Sequence, residues 1–456
     1  MNKRIKPEWV KVASIILIAA MLAGLGFCFR HAIFGTIQKF AEKYLNTHRI
    51  YILIAFFDSL LAAYFIRGKK WLAMLPAAAI SATLAAYHFC YIRPYDAFIL
   101  NSRIMHEYIK FIASAWLGST LVASLPLAFF AALSLIIKIC RIKIKDSLHK
   151  WIPLSAAALC ALYALHSGTR QPPFKEIIIE SSKVSEELDG YRIVQISDIH
   201  LDSLMKMNHF KKTIERVNSL NADMILITGD LIDPGFDTSG DADGFFKSLK
   251  AKDGVYAVLG NHDKDLYHIT KGKIPLLPLL KRLEIKTLCC TTKPGYTNIT
   301  CGNDKRRRDR HGKYDDGYDE PLCIENIIIS KSKPLFRLTG IDDIAERKAK
   351  TRRTSIAFEK WKKESKSLPE IVMIHRPLYY KEIEETRQPL LVLSGHTHRG
   401  QIYPIYKQNK FKYFYGLYKI KNTFFYVTSG TDGKGPRMRF FAPPEIPVIT
   451  LRKAKK

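Results

Sequence analysis

The sequence lacks a C-x-x-C pair. Four of its 8 cysteines lie in or beside apolar stretches, and the other four show no C-x-x-C spacing, which argues against a zinc knuckle. These four are Cys289, Cys290, Cys301 and Cys323. If this half of the chain lies outside the cytoplasm, one disulfide between Cys301 and Cys323 would close the segment between them. Sequence alone leaves the pairing open.

Acidic residues are few as well. The chain has 42 acidic residues against 71 Lys and Arg, so its formal net charge is +29. Two interpretations stay open: the usual bias of a membrane protein with a solvated basic surface, and attraction to anionic lipid head groups. The chain shows no basic-aromatic recognition pattern, no nucleic-acid fold signature and no internal repeat, so nucleic acid is not an expected partner.

The first third of the chain is strongly apolar. Five apolar stretches bracketed by Lys or Arg predict an all-α transmembrane region over residues 1–166. The predicted spans lie near 12–29, 50–66, 71–92, 111–137 and 151–165. The second and fifth are marginal, because a bilayer requires about 20 apolar residues. Four or five spans therefore fit, with five preferred, and a cleaved signal peptide is the alternative for the first.

Basic residues also predict an orientation for these spans. They are denser in the amino-terminal tail and in alternate loops, so the positive-inside rule places the amino terminus in the cytoplasm. Five spans then place the remainder of the chain outside the cytoplasm. An error of one span reverses this prediction.

The rest of the chain has the pattern of a layered α/β domain. Residues 167–175 are predicted to be a linker, since its paired prolines disfavour both helix and central strand. Over 176–456, β-branched runs first alternate with helical patterns and then outnumber them, which favours mixed sheets over a simple parallel fold. A highly charged segment near 302–320 predicts a disordered surface insert.

Polar side chains follow three consecutive predicted strands. Asp198 and His200 come after YRIVQIS, and their two-residue spacing points both side chains the same way on an extended chain. Asp230 follows DMILIT, and Asn261 and His262 follow VYAVLG. Open α/β sheets place their sites at these carboxyl ends, so we expect the five side chains to meet there.

The later strands repeat the pattern. His375 follows EIVMI, and His396 and His398 follow LLVLS with the same two-residue spacing. Carboxylate, imidazole and amide ligands without thiolate suit manganese, iron or zinc. Together with the residues after the first three strands, these side chains are too many for one ion. With a bridging carboxylate they suffice for two divalent ions about 3.5 to 4 Å apart.

The order D-x-H, G-D-x-x-D, G-N-H-D, an isolated His and G-H-x-H between Tyr191 and Gln401 resembles the calcineurin-like metallophosphoesterase superfamily. The pieces SGTDGKGPRMRF and PPEIPVITL look like those of its bacterial membrane-associated branch, which extends the resemblance to Leu451. The resemblance implies two mixed β-sheets in a sandwich flanked by helices. It also implies a bacterial inner or plasma membrane location.

The resemblance implies a role for each site residue. One metal would be held by Asp198, His200, Asp230 and His398, and the other by Asp230, Asn261, His375 and His396. His262 would stand free of both metals to protonate the leaving oxygen or stabilise the phosphoryl group, with Asp263 orienting it. By its chemistry alone, Asp233 is predicted to stabilise a turn rather than to bind a metal.

Arg399 departs from the branch, which often has glycine after G-H-x-H. It would either clamp a substrate phosphate through two hydrogen bonds or be an ordinary surface arginine, and the sequence leaves this open. Arg376 and Arg437 are weaker candidates for the same role.

Together these features predict a membrane-anchored dinuclear-metal phosphoesterase that acts by metal-bridging hydroxide attack. Its partners would be membrane lipid and a phosphomonoester or phosphodiester substrate, and position beside the bilayer favours a lipid-linked or envelope substrate. The alternatives are a catalytically silent membrane scaffold of the same fold and a nuclease. A transporter finds no support, since the spans show no duplicated pattern of interrupted helices. Sequence does not give the oligomeric state.

Overall fold

A computed structural model describes residues 103–202, 204–233, 246–263, 285–288, 322–343, 352–403 and 411–454, together with Ala79, Ala82 and Thr83. The spans predicted near 12–29 and 50–66 and the charged insert near 302–320 lie outside the described residues, as does nearly all of the span near 71–92. Cys301 also lies outside them, whereas Cys323 is a free, half-buried thiol. The structure therefore does not contain the disulfide considered between these two cysteines.

The described residues form five α-helices and twelve strands. In chain order these are α1 (Arg103–Ile139), α2 (Asp146–Thr169), β1 (Phe174–Ser181), β2 (Arg192–Ile196), α3 (Leu204–Asn218), β3 (Met224–Ile227), β4 (Val255–Ala257), β5 (Lys286–Thr287), β6 (Ile324–Ser330), β7 (Pro334–Ile341), α4 (Arg352–Lys362), β8 (Glu370–Ile374), α5 (Tyr380–Arg387), β9 (Leu391–Ser394), β10 (Gly416–Ile420), β11 (Thr423–Val427) and β12 (Ile446–Lys453). Two short 3-10 turns lie at Glu186–Leu188 and His398–Gly400.

Helices α1 and α2 are long and apolar enough to cross a membrane. The most apolar 18-residue window has a mean hydropathy of 2.3 in Phe111–Ile139, which is part of α1, and of 1.3 in the 24-residue helix α2. At 1.5 Å per residue, either helix exceeds the roughly 30 Å hydrocarbon core of a bilayer. The part of the chain that the structure describes thus contains two candidate spans, not the five predicted.

The segment between α2 and β1 is shorter than the predicted linker. The helix continues to Thr169 and the strand begins at Phe174, so only residues 170–173 lack regular structure. Pro172 and Pro173 fall in this segment, where their missing N–H groups prevent the helix from continuing. The chain divides into two compact units, and the segment from Ala164 to the end belongs to the second.

That second unit contains two six-stranded mixed sheets. Sheet 1 has the strand order β1-β12-β2-β3-β4-β5, and sheet 2 has the order β10-β11-β9-β8-β7-β6. In sheet 1, β2, β3, β4 and β5 run parallel, and in sheet 2, β11, β9, β8 and β7 do. The parallel strands of each sheet therefore all end at one edge.

The sheets pack face to face over a common core. Buried side chains from both inner faces form one cluster, which includes Ile193 and Leu226 from sheet 1 and Leu338, Met373 and Leu393 from sheet 2. A second cluster covers the outer face of sheet 1 with α3, and a third covers the outer face of sheet 2 with α4 and α5. The predicted sandwich of two mixed sheets flanked by helices is confirmed for this part of the chain.

A buried glutamine joins the two sheets beside the edge where their parallel strands end. The Gln195 amide of β2 donates to Thr228 Oγ1 at 2.9 Å and to the Ser394 carbonyl of β9 at 3.1 Å. Gln195 is fully buried, so losing these bonds would leave a buried amide unsatisfied, at a cost of about 1 to 3 kcal/mol. The contact holds the carboxyl ends of β2, β3 and β9 together.

Candidate metal centre

Many of the predicted ligands lie in an unusual backbone conformation where the strands end. Five of them adopt positive φ between 48° and 71°: Asp198, His200, Asp230, His396 and His398. Residues other than glycine are uncommon in this region, and a strained backbone of this kind costs about 1 to 3 kcal/mol per residue. Such strain concentrates at functional sites, because the surrounding fold must hold it in place.

Two glycines in the motifs allow the loops to approach closely. A Cβ on Gly260 would lie 2.1 Å from Asp230 Oδ1. A Cβ on Gly395 would lie 2.0 Å from Ser197 Oγ and 2.4 Å from Asp198 Oδ2. The glycines of G-N-H-D and G-H-x-H are therefore required by contact with the carboxylates of the neighbouring loops.

The first group of candidate ligands comprises Asp198, His200 and His398. His398 Nε2 lies 3.4 Å from Asp198 Oδ1 and 3.1 Å from His200 Nε2. On the other side of its ring, His200 Nδ1 lies 3.1 Å from Asp233 Oδ2. A carboxylate accepts hydrogen bonds, so Nδ1 carries the ring proton and Nε2 presents its lone pair to the group.

The second group comprises Asp230, His375 and His396. His375 Nε2 lies 3.2 Å from Asp230 Oδ2 and 3.2 Å from His396 Nδ1. His375 Nδ1 lies 2.7 Å from the Thr228 carbonyl and must donate to it, so Nε2 is the ring nitrogen that faces the Asp230 carboxylate.

Asp230 connects the two groups. Its Oδ2 lies 3.2 Å from His375 Nε2 and 3.6 Å from His200 Nε2. Asn261 Oδ1 is buried and accepts no hydrogen bond from the residues that the structure describes, so this oxygen also has unused capacity to bind a cation. Lone pairs that face carboxylate oxygens repel unless a proton or cation lies between them. The residues present thus fit two divalent ions that share Asp230.

The charges of the site hold its carboxylates and imidazoles at unusual pKa values. Burial raises the pKa of Asp198. Burial acts the same way on Asp230, but His375 and His200 outweigh it and hold the pKa of that carboxyl well below its usual range. For His375, burial would lower the pKa, yet the Asp230 carboxylate raises it to about 10. A metal ion must displace such ring protons to bind. We therefore expect the metal affinity to decrease as the pH is lowered.

His262 lies beside both groups and belongs to a third cluster with His200 and Asp233. Its backbone N–H donates to Asp230 Oδ1 at 2.8 Å, and its Nδ1 lies 3.3 Å from Asp233 Oδ1. Lys434 Nζ lies 2.8 Å from its Nε2. Burial, with the nearby charges of His200 and Lys434, lowers the pKa of His262 to about 4. The imidazole is therefore neutral at pH 7 in this arrangement.

Asp263 has a different partner from the one predicted. Its Oδ1 accepts from the backbone N–H groups of Leu231 and Ile232 at 2.8 and 3.1 Å, and its Oδ2 accepts from that of Gly260 at 2.9 Å. These bonds tie the loop after β3 to the loop after β4 rather than orienting the His262 ring. Burial and the Asp230 charge raise the pKa of Asp263 to about 7.

Asp233, rather than Asp263, faces the ring of His262. Its two carboxylate oxygens face Nδ1 of His200 and Nδ1 of His262, at 3.1 and 3.3 Å. The prediction that Asp233 stabilises a turn missed this contact. The available signal was the second aspartate of G-D-x-x-D, which the turn after β3 brings back toward the ligands.

The three candidate arginines differ in their surroundings. Arg399 adopts φ 50°, and its guanidinium lies 4.3 Å from the centre of the Tyr415 ring. Arg376 and Arg437 instead pair with aspartates, at 3.2 and 3.5 Å.

Two buried cations that sequence reasoning missed hold the ligand loops. Lys206 Nζ donates to the carbonyls of His200 and Gly433 at 2.8 and 2.9 Å. Arg439 donates to the His398 carbonyl at 2.9 Å. Both contacts are to backbone oxygens, so no motif in the sequence indicates them.

Comparison with known proteins identifies the class of this domain. Residues 191–400 match the family model described as calcineurin-like phosphoesterase. The chain therefore contains a calcineurin-like metallophosphoesterase domain, as its motifs predicted.

The relatives of the chain carry related names. An "Uncharacterized metallophosphoesterase" of Helicobacter pylori is 30% identical over 289 residues, which cover 63% of this chain and 65% of that protein. A "Transmembrane protein with metallophosphoesterase domain" of Danio rerio is 29% identical, over 66% of this chain and 62% of that protein. The "UDP-2,3-diacylglucosamine pyrophosphatase LpxG" of Chlamydia muridarum is 27% identical, over 58% of this chain and 84% of that protein. The chain thus matches slightly less than two thirds of the first two relatives.

Proposed function

We propose that this protein hydrolyses phosphate esters with two divalent metal ions. The observation that carries the proposal is the orientation of His200 and His375. Each ring donates its Nδ1 proton to an oxygen of the fold and turns Nε2, the nitrogen that can bind a metal once its proton is displaced, toward the shared carboxylate of Asp230. This arrangement suits a cation on either side of that carboxylate. The chemistry of the family supports the same function.

We assign the ligands in two sets that share Asp230. Asp198, His200, Asp230 and His398 hold one ion, and Asp230, Asn261, His375 and His396 hold the other. Manganese, iron and zinc all suit this donor set. When bound, such ions supply the Lewis acidity that activates water and neutralises charge on a phosphoryl group.

The remaining side chains act on the proton and the substrate. His262 lies next to the ligands but outside the two sets, where it can transfer a proton to or from an oxygen of the substrate. Asp233 faces Nδ1 of His262 and so directs the other ring nitrogen away from itself. Arg399, supported by the Tyr415 ring, offers a guanidinium for a phosphate oxygen.

We further propose that the protein acts at a bacterial inner or plasma membrane. Residues 1–166 would form the membrane region, and residues 176–456 would form the catalytic domain on the extracytoplasmic side. Helices α1 and α2 have the length and hydropathy of membrane spans, and relatives are named as transmembrane proteins. A substrate embedded in or linked to the membrane fits this location. One relative is named for a diphosphate that carries acyl chains, which supports the same class.

Purified full-length protein in detergent, loaded with manganese, tests the hydrolase proposal. We expect hydrolysis of p-nitrophenyl phosphate or bis-p-nitrophenyl phosphate by the wild type, and a loss of about 1,000-fold or more in Asp230→Asn, which removes the shared carboxylate charge. Asp189→Asn is the matched control, because Asp189 lies on the surface and its carboxylate accepts a hydrogen bond from the backbone N–H of Lys453. A wild type that binds manganese but hydrolyses neither ester would instead support the silent scaffold.

A further inference from the structure

Lys434 brings a positive charge to His262. Its Nζ lies 2.8 Å from His262 Nε2 and 3.3 Å from Nδ1, although the two residues are 172 positions apart in the chain. Lys434 is exposed, and no carboxylate in the part of the chain that the structure describes pairs with its ammonium group. The charge is therefore available to a ligand beside the proposed proton-transferring residue.

The backbone around Lys434 is fixed from both sides. Gln401, three residues after the G-H-x-H motif, accepts from the Lys434 N–H at 3.2 Å and donates to the Lys434 carbonyl at 2.8 Å. The preceding carbonyl, of Gly433, accepts from buried Lys206, which also holds the His200 carbonyl. The side chain thus starts from a position set by the ligand loops. These contacts are made by the backbone alone, and among the described residues the ammonium group of Lys434 contacts the ring of His262.

This placement has a consequence for the substrate. His262 is proposed to transfer a proton at the substrate oxygen that leaves. An ammonium group within 3.3 Å of its ring nitrogens lies where the leaving group emerges, and it would stabilise negative charge there. A leaving phosphate carries about two negative charges near neutral pH, whereas an alcohol or phenol oxygen carries at most one. A cation at this point therefore favours a second phosphate.

Resting on the proposed function, we infer that Lys434 binds the leaving phosphate of a diphosphate substrate. In the reaction, the oxygen of water bonds to one phosphorus atom. The bridging P–O bond breaks, and its electron pair stays on the departing phosphate. The two protons of water are released as both products become phosphate monoesters. The substrate class is thus a diphosphate linkage, rather than a simple phosphodiester or a phosphomonoester.

Three substrates separate this inference from its alternatives. ADP-ribose contains a diphosphate linkage, bis-p-nitrophenyl phosphate is a diester without a second phosphate, and p-nitrophenyl phosphate is a monoester. For Lys434→Met in the full-length, manganese-loaded protein, we expect kcat/KM for ADP-ribose to fall about 10- to 100-fold, the effect of losing one hydrogen bond to a charged group. The values for the other two esters should change less than about 3-fold, and Lys434→Arg should restore most of the loss.

The control is Lys419→Met, which removes an exposed lysine from β10 near Phe424 and should leave all three values unchanged. Equal losses on all substrates, or a loss confined to the monoester, would overturn the inference and place Lys434 on the attacked phosphate. A wild type that hydrolyses bis-p-nitrophenyl phosphate but not ADP-ribose would also overturn it while leaving the proposed function intact. A wild type that hydrolyses none of the three would refute both.

Discussion

Replacing Asp233 tests whether a residue outside the ligand sets controls metal binding. Asp233 Oδ2 lies 3.1 Å from His200 Nδ1 and keeps the ring proton on that nitrogen. The carboxylate is charged, because His200 and His262 outweigh the effect of burial and lower its pKa. In Asp233→Ala, the ring is free to carry its proton on Nε2, which would turn an N–H toward Asp230. Losing such a partner typically costs 10- to 100-fold in metal affinity, or about 1.4 to 2.7 kcal/mol.

The assay is a calorimetric titration of the metal-free full-length protein with manganese. We expect one of the two binding events to weaken by 10- to 100-fold in Asp233→Ala and the other to change less. Asp233→Asn should lie between the alanine variant and the wild type, since an amide oxygen still accepts from Nδ1. Asp189→Asn serves again as the surface control, and the melting temperature of each variant shows whether it is folded. Two unchanged affinities in a folded Asp233→Ala would refute the reasoning.

Three further changes probe the loops and the domain. Gly395→Ala places a Cβ 2.0 Å from Ser197 Oγ. We therefore expect the manganese affinity, measured by calorimetry, to decrease at least 10-fold. A variant with normal affinity would show that the loop can move aside. Lys206→Met leaves the carbonyl of His200 without its donor and should lower the free energy of unfolding by about 1 to 3 kcal/mol in urea titrations, whereas an unchanged midpoint would remove it as a positioning residue. Burial lowers the pKa of His209 in the folded protein to about 4. As the pH falls from about 6.5 to 4, His209 therefore binds a proton in the unfolded chain before it does so in the folded protein. The free energy of unfolding should decrease over that window by roughly 2 kcal/mol. The decline should shrink in His209→Gln, and an identical pH profile in that variant would contradict this assignment.

The positions of the candidate ligands were predictable because each one follows its strand directly. Asp198 and Asp230 follow the parallel strands β2 and β3 of sheet 1. His375 follows β8, which runs parallel to β7 and β9 in sheet 2. The core sandwich was predictable for the same reason, since β-branched runs mark its strands. A residue could thus be placed from the sequence wherever its position depends only on the strand directly before it.

The supporting residues depend on contacts between distant segments. Asp233 lies a few positions after the candidate ligand Asp230, and Asp263 lies a few positions after the candidate ligand Asn261. Spacing alone could therefore not tell which aspartate faces the His262 ring. Lys434 and Arg439 lie far along the chain from the residues they contact, and their partners include backbone oxygens that any residue provides. Only the packing of the two sheets shows these contacts.

The most direct test of the account is electron paramagnetic resonance of the protein loaded with two equivalents of manganese. Two ions bridged by the Asp230 carboxylate should give the multiline signal of a coupled pair, and Asp230→Asn should lose it. His262→Ala should retain it, because His262 lies outside both ligand sets. A wild-type spectrum that shows only isolated manganese ions, at confirmed occupancy of both sites, would contradict the shared carboxylate on which the proposed function rests.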